Sequence, residues 1–195
     1  EYRTAHPGVS IDLVLNDQAI NFVEEGFDVA VRVGDLADSS LIARSLRPYR
    51  SVICACPAYL ERQGVPQAPE DLAEHSCLGF AHPAAGRAWR LQGPHGEIVV
   101  PVRLALTANN GEALRMAALS GLGIIMQPEV LLQDDLRAGR LARILPDYAP
   151  AARPMHVLTV ADRKPPPKIR TFVDFLVERF GANPPPKRKR NTKAA

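Results

Sequence analysis

The sequence predicts an α/β fold, built as one ordinary domain or as two small lobes, on three observations. Strand-like apolar runs alternate with helical patterns along most of the chain. Hydrophobic residues make up 46% of the 195 residues, which is enough to bury a core. Proline-containing links at Arg47 and Pro48 and at residues 146–154 divide the chain where two lobes would join.

The opening of the chain predicts a helix, a strand, a helix and a strand in that order. Residues 1–6 indicate the last turn of a helix, and residues 9–15 carry apolar side chains at alternate positions, as a strand does. Asn16 and Asp17 are suited to cap the next helix, and valines alternate again over residues 28–33. This order is typical of a parallel sheet with right-handed crossovers.

The rest of the chain predicts further strands and helices. The strands, recognised by alternating or continuous apolar residues, are 41–46, 51–56, 77–80, 89–91, 98–104, 123–126, 141–145 and 155–160. The helices, begun by proline or a polar cap in most cases, are 57–64, 69–74, 109–121, 128–137 and 168–180. Asn109 and Glu112 have the spacing of a capping box.

The charge distribution argues against a nucleic-acid-binding surface on the body of the chain. Five basic residues and no acidic ones lie in residues 184–195, and removing these five from the net charge of +3 leaves −2 for the rest. We expect residues 182–195 to form a disordered basic tail. Apolar runs are too short to cross a membrane, and no export signal opens the sequence, so we expect a cytoplasmic protein.

Cysteine, histidine and motif patterns give little support to catalysis. Cys54 and Cys56 lie two apart in a predicted strand, with parallel side chains, so buried thiols are favoured over a disulfide or a metal site. The sequence contains no nucleophile elbow, no phosphate-binding loop and no zinc-protease motif. We therefore expect no enzyme activity, no cofactor and no metal.

Several segments resemble the effector-binding domain of LysR-type transcriptional regulators. The resemblance covers residues 1–181 in order and spacing, and the segments that carry it are 24–34, 38–44, 54–60, 69–72, 108–114, 121–124 and 172–176. The resemblance implies a periplasmic-binding-protein-like fold of type II, in which crossover strands join two lobes around a ligand cleft. It implies lobe one at residues 1–48 with 154–181, and lobe two at residues 49–153.

The same resemblance implies what this sequence leaves out. A complete member begins with a winged helix-turn-helix, a linker helix, and the first strand and helix of lobe one. That first strand would lie between the strands at 9–15 and 28–33, so we expect lobe one to be marginal in the isolated chain. The expected partners are a small-molecule effector, with a carboxylate as the candidate, and further copies in a dimer or tetramer. DNA would be bound only through the absent N-terminal domain.

Two other functions stay open beside effector sensing. One is a truncated regulator that acts only as an interaction partner, which needs dimer surfaces but no working ligand site. The other is a solute-binding protein of a transporter, which shares the fold but needs an export signal.

Candidate effector-binding residues follow from the rule that open α/β sheets bind ligands beyond the carboxyl ends of their strands. These positions, with the loop near the lobe junction, are Asn16, Asp17, Arg32, Gly34, Ser39, Ser40, Cys56, Pro57, Asn109, Asn110, Gln127 and Pro128. Asn109 and Asn110 are the strongest, because a following glycine leaves room for a carboxylate at a helix start. Plain N-capping explains them equally well, and a solvated strand arginine is the simpler interpretation of Arg32.

Overall fold

In a computed structural model, the chain divides into two compact units. The structure describes residues 1–15, 24–36, 41–80, 87–161 and 165–181. The first unit consists of the described residues of Glu1–Pro48 and Arg153–Ala195, and the second of those of Tyr49–Ala152. Among the described residues, no helix has the length and apolar character needed to cross a membrane.

The described strands and helices alternate along much of the chain. The strands are β1 Ala30–Val33, β2 Leu41–Tyr49, β3 Ser51–Ala55, β4 Ser76–Phe80, β5 Ala88–Gly93, β6 Gly96–Pro101, β7 Arg103–Ala108, β8 Ile124–Pro128, β9 Ala142–Arg143 and β10 Arg153–Val160. The α-helices are α1 Tyr2–Ala5, α2 Pro57–Gln63, α3 Gly111–Leu119, α4 Glu129–Arg137 and α5 Pro167–Phe180, with a 3₁₀ helix at Pro69–Ala73.

The second unit is built on a five-stranded sheet in the order β7-β4-β8-β3-β9. β4 runs parallel to β7 and β8, so the carboxyl ends of these three strands, at Phe80, Ala108 and Pro128, share one edge. β3 runs antiparallel to β8, which places its first residue, Ser51, opposite Pro128 at that edge. The sheet is therefore mixed, and one edge collects the ends of three parallel strands.

The core of the second unit lies on both faces of this sheet. Neighbouring residues of β8, Ile124 and Ile125, point to opposite faces and are both fully buried. Leu114 of α3 and Leu132 of α4 are fully buried in the same core cluster. β5 and β6 form a separate two-stranded hairpin, as predicted, and the hairpin adds Trp89 to the core. The buried residues Leu114 and Leu132 thus hold α3 and α4 against the sheet.

The first unit contains a three-stranded sheet in the order β1-β10-β2, with β1 antiparallel to β10. Its buried cluster comprises Leu46, Val157 and Val173, which come from β2, β10 and α5. α5 carries its apolar residues at helical spacing, as the sequence predicts, and packs them against this cluster. β1 pairs with β10 alone, so it is an edge strand among the described residues.

The predicted strand over residues 9–15 is wrong. None of the described strands pairs with this segment, and an extended chain becomes a strand only when its backbone groups join a ladder. Its alternating apolar residues are not buried either, since Leu13 is 73% and Leu15 is 84% exposed. The helix predicted after Asn16 and Asp17 and the tail at 182–195 lie outside the described residues.

Two further predictions need correction at strand level. The alternating run at 98–104 divides at Val102, which lies between the last residue of the hairpin strand β6 and the first residue of β7 in the main sheet. Val102 donates its N–H to the carbonyl of Arg87 and so extends the hairpin pairing by one residue, and from Arg103 onward the chain pairs with β4 instead. The predicted strand at 141–145 shrinks to the two residues of β9.

Candidate functional site

The start of α3 lies beyond the carboxyl end of β7, at the sheet edge where three parallel strands end. Asn110 is the N-cap, and its Oδ1 accepts a hydrogen bond from the N–H of Ala113 at 3.0 Å. The predicted capping box from Asn109 is therefore wrong by one residue. The N–H groups of Gly111 and Glu112 have no carbonyl four residues earlier within the helix, so this turn offers donors that have no backbone partner among the described residues.

Gln127, in β8, is the unusual side chain at this edge. Only 1% of it is exposed, yet neither its Nε2 nor its Oε1 has a hydrogen-bond partner among the described residues. A buried amide without partners costs about 1–3 kcal/mol, because water that would satisfy it has been removed. Such a group in a folded protein calls for an explanation, and binding a ligand is one.

Gly111 brings the helix start close to the Gln127 amide. A side-chain Cβ at Gly111 would lie 3.1 Å from Oε1 of Gln127, 3.4 Å from Leu131 and 3.7 Å from Phe80. The glycine thus allows a backbone approach that alanine would crowd. We call the group formed by Phe80, Asn110, Gly111, Gln127 and Leu131 the Gln127 site.

The charged groups beside the Gln127 site neutralise one another. Arg115, one turn into α3, donates its Nε to Oδ2 of Asp135 at 2.5 Å and pairs through Nη1 with Glu112. Hydrogen bonds to Asp135 above all, and then to Glu112, raise the pKa of Arg115, so its guanidinium stays charged and engaged. The site therefore presents backbone and amide N–H groups, not a free cation of this helix.

The structure brings four of the predicted site residues to one edge of the second unit. These residues follow or end the parallel strands β7 and β8, and they are Asn109, Asn110, Gln127 and Pro128. The sequence predicts Gln127 as a site residue because it follows the apolar strand pattern of residues 123–126. Phe80 and Leu131 were not selected, although Phe80 also ends a parallel strand.

Cys56 and Pro57 lie away from this group, which corrects their assignment to the same edge. β3 runs antiparallel to β8, so its carboxyl end points to the opposite edge of the sheet. There the Sγ of Cys56 would lie 3.6 Å from a Cβ at Gly121, the glycine that follows α3 with a φ of +78°. Cys56, with Pro57 next to it in the chain, thus adjoins the end of α3, whereas Asn109 and Asn110 adjoin its start.

The remaining predicted site residues belong to the first unit. Arg32 pairs with His156 across β1 and β10, and Gly34 follows β1 with a φ of +113°. Arg153 donates from Nη2 to the carbonyl of Val33 at 3.3 Å and covers Gly34. The other four candidates, Asn16, Asp17, Ser39 and Ser40, lie outside the described residues.

Solved structures with the same fold identify the class of this domain. The regulatory domain of CrgA from Neisseria meningitidis matches with a TM-score of 0.83 and 34% identity, over 92% of this chain and 88% of that one. Full-length AphB from Vibrio cholerae, described as a virulence activator, matches with a TM-score of 0.81 and 30% identity, over 92% and 61%. The chain is therefore an α/β regulatory domain with the periplasmic-binding-protein-like fold of type II.

Sequence comparison identifies the family. Residues 1–181 match the LysR substrate binding domain. The transcriptional regulator CrgA of Neisseria meningitidis serogroup B is 34% identical over 186 residues, which are 94% of this chain and 61% of CrgA. The chain belongs to the LysR-type transcriptional regulators, as the effector-binding regulatory domain, and it spans about three fifths of the length of this relative. The members of this family regulate transcription and are not enzymes.

Proposed function

We propose that this domain senses a small-molecule effector at the Gln127 site and passes the signal to an oligomer of regulators on DNA. The observation that carries the proposal is the buried Gln127 amide, whose two polar atoms have no hydrogen-bond partner in the described part of the chain and lie beside the first N–H groups of α3. Family membership supports the sensing role. The helix start favours an acidic group, so a small carboxylate is the proposed effector.

The wider role follows the family. We propose that the first and second units are lobes one and two, that copies of the chain pair as dimers or tetramers, and that the protein works in the cytoplasm without catalysing a reaction. Effector binding would shift the oligomer between two arrangements, because a ligand stabilises the state that it binds more tightly. DNA binding would then depend on a separate domain of the complete regulator.

A thermal-shift and NMR screen of small metabolites tests this proposal. We expect at least one carboxylate to raise the melting temperature of the wild-type domain and to shift the amide signals of Gly111 and Glu112. The Gln127→Leu variant should lose the ligand-induced shift. Without ligand it should melt higher than wild type, because the substitution removes an unpaired buried amide at similar volume.

Gln133→Leu is the matched control, since Gln133 is an exposed glutamine on α4. It should keep the ligand-induced shift. If no compound stabilises the wild-type domain while the domain still pairs in solution, sensing is overturned and a pure pairing role is supported. If Gln127→Leu melts lower without ligand, a buried water satisfies the amide and the site assignment is overturned.

A further inference from the structure

We infer that the effector of the Gln127 site is a small monocarboxylate with a hydroxyl on the carbon next to the carboxylate, that is, a 2-hydroxy acid. This inference rests on the proposed function, because it names the ligand class of the same site. It follows from the polar atoms of Gln127, which have no partner within the described ranges, and from the close approach of Gly111 to Oε1 of Gln127.

The donors of the site fit a carboxylate. The N–H groups of Gly111 and Glu112 open the first turn of α3, and the Nε2 of Gln127 adds two N–H groups nearby. A carboxylate has only acceptor sites, so it can take hydrogen bonds from all three groups. The helix start also carries a partial positive charge, which favours an anion.

The acceptor of the site does not fit a plain carboxylate. Oε1 of Gln127 is buried and has no partner among the residues that the structure describes, and an ionised carboxylate has no hydrogen to donate to it. Binding a plain carboxylate would leave this oxygen buried without a partner, which weakens binding. A ligand that satisfies the whole amide must therefore bring a donor as well as its anionic group.

The geometry places that donor close to the carboxylate. Oε1 lies 3.1 Å from the position of a Cβ at Gly111, so the unpaired acceptor directly adjoins the first residue of the helix. Donor and carboxylate must then sit on neighbouring atoms of the ligand, as they do in a 2-hydroxy acid. The ring of Phe80 and the side chain of Leu131 also lie near this Cβ position, so they can contact a short apolar substituent of the acid.

The local charge limits the ligand to one carboxylate. Glu112 lies in the first turn of α3, and Arg115, the cation next to it, is already shared between Glu112 and Asp135. A second carboxylate on the ligand would meet the negative side chain of Glu112 without a free cation of this helix. The site therefore favours a monoanion.

Matched pairs of acids test the inference on the whole chain. The pairs are lactate with propionate and mandelate with phenylacetate, which differ only by the 2-hydroxyl, and the readouts are NMR titration of α3 amides and calorimetric Kd. We expect the hydroxy acid of at least one pair to bind at least about tenfold more tightly, since pairing a buried acceptor is worth about 1.4 kcal/mol or more.

Three variants test whether Gln127 is the residue that favours the hydroxy acid. Gln127→Leu should bring the two members of the pair within about twofold, and Gln133→Leu should leave the preference unchanged. Gly111→Ala should weaken the binding of the hydroxy acid, because the added Cβ crowds Oε1 of Gln127. The domain should stay folded, because alanine favours a helix more than glycine does.

The outcomes separate this inference from the proposed function. Equal binding of both members of each pair, or binding of neither while other metabolites bind at the α3 amides, overturns the 2-hydroxy acid and leaves sensing intact. A preference that survives in Gln127→Leu also overturns it, because another group then reads the hydroxyl. Absence of binding by every metabolite in the wider screen overturns the proposed function itself.

Discussion

Asp135 is a buried charge whose hydrogen bonds connect the helices beside the Gln127 site. Its side chain is 1% exposed and accepts from Arg115 of α3 at 2.5 Å and from Arg140, after α4, at 2.7 Å. The carbonyl of Asp135 also accepts the backbone N–H of Arg140 at 2.9 Å and of Leu141 at 3.3 Å. These bonds tie α3 to the end of α4 and keep the Arg115 guanidinium paired.

Replacing Asp135 with asparagine should lower the free energy of unfolding by about 3 kcal/mol at neutral pH, because it leaves arginines beside a buried group that cannot balance them. Hydrogen bonds from Arg115 above all, and also from Arg140, hold the pKa of Asp135 below its usual 3.8. A carboxyl with a lowered pKa stabilises the fold above its unfolded pKa and loses that effect as pH falls through the folded value. Urea unfolding of both proteins at several pH values should show the difference shrinking below about pH 4.

Asp134→Asn is the control for this prediction. Asp134 precedes Asp135 on α4, but its side chain is 88% exposed and pairs with Arg137 at 3.5 Å. Exposed ion pairs of this kind contribute about 0–1 kcal/mol, so this variant should unfold almost like wild type. Equal effects of the two substitutions would show that the buried contacts of Asp135 contribute little.

At the scale of elements, the pairing of the central strand β8 with β3 and β4 determines which side chains share a face of the sheet. Ile125 pairs with both Cys54 of β3 and Leu78 of β4, so these three share one face of the sheet, and Cys77 points to the other. Cys54 and Cys77 cannot form a disulfide across that sheet. Burial raises the pKa of each thiol to about 12, so neither is a thiolate at neutral pH.

These two thiols should react with a disulfide reagent only when the sheet opens. In a Cys56→Ala variant, which leaves Cys54 and Cys77 as the cysteines, we expect no labelling of the native domain over minutes at pH 8, because burial blocks both access and ionisation. The labelling rate should rise with urea in parallel with unfolding of the second unit. One equivalent of rapid labelling in native buffer would contradict the burial of both thiols.

The same scale shows what the sequence could predict and where local patterns failed. α5 and the β5–β6 hairpin were predictable, because helical apolar spacing and a Gly-Pro-His-Gly turn are local signals. The direction of β3 was not, since antiparallel and parallel strands have the same apolar pattern, and this direction moved Cys56 away from the site. The strand prediction for residues 9–15 was wrong for a related reason. The apolar residues alternate, but a strand forms only beside a neighbouring strand, which the pattern of one segment cannot show.

At the scale of the molecule, the two units differ in how much they bury. The core cluster of the second unit contains 23 buried residues, whereas the buried apolar residues of the first unit, among those described, are Tyr2, Leu46, Val157, Leu158 and Val173. Exposed apolar side chains are frequent in the first unit, with Leu15 at 84% and Val31 at 53%. Apolar burial is the main favourable term in folding, so the first unit should have the lower local stability.

Amide hydrogen exchange of the isolated chain should show this difference in local stability when an inner strand of each unit is compared. β8 lies between β4 and β3 in the second unit, and β10 lies between β1 and β2 in the first, so both have neighbours on each side. After correction for intrinsic rates, we expect amides of β10 to exchange at least about tenfold faster than those of β8, which corresponds to an opening free energy lower by about 1.4 kcal/mol. Equal protection of the two strands would mean that the smaller core of the first unit does not limit its stability. In that case the exposed side chains of residues 9–15 and β1 would have no measurable cost to the fold.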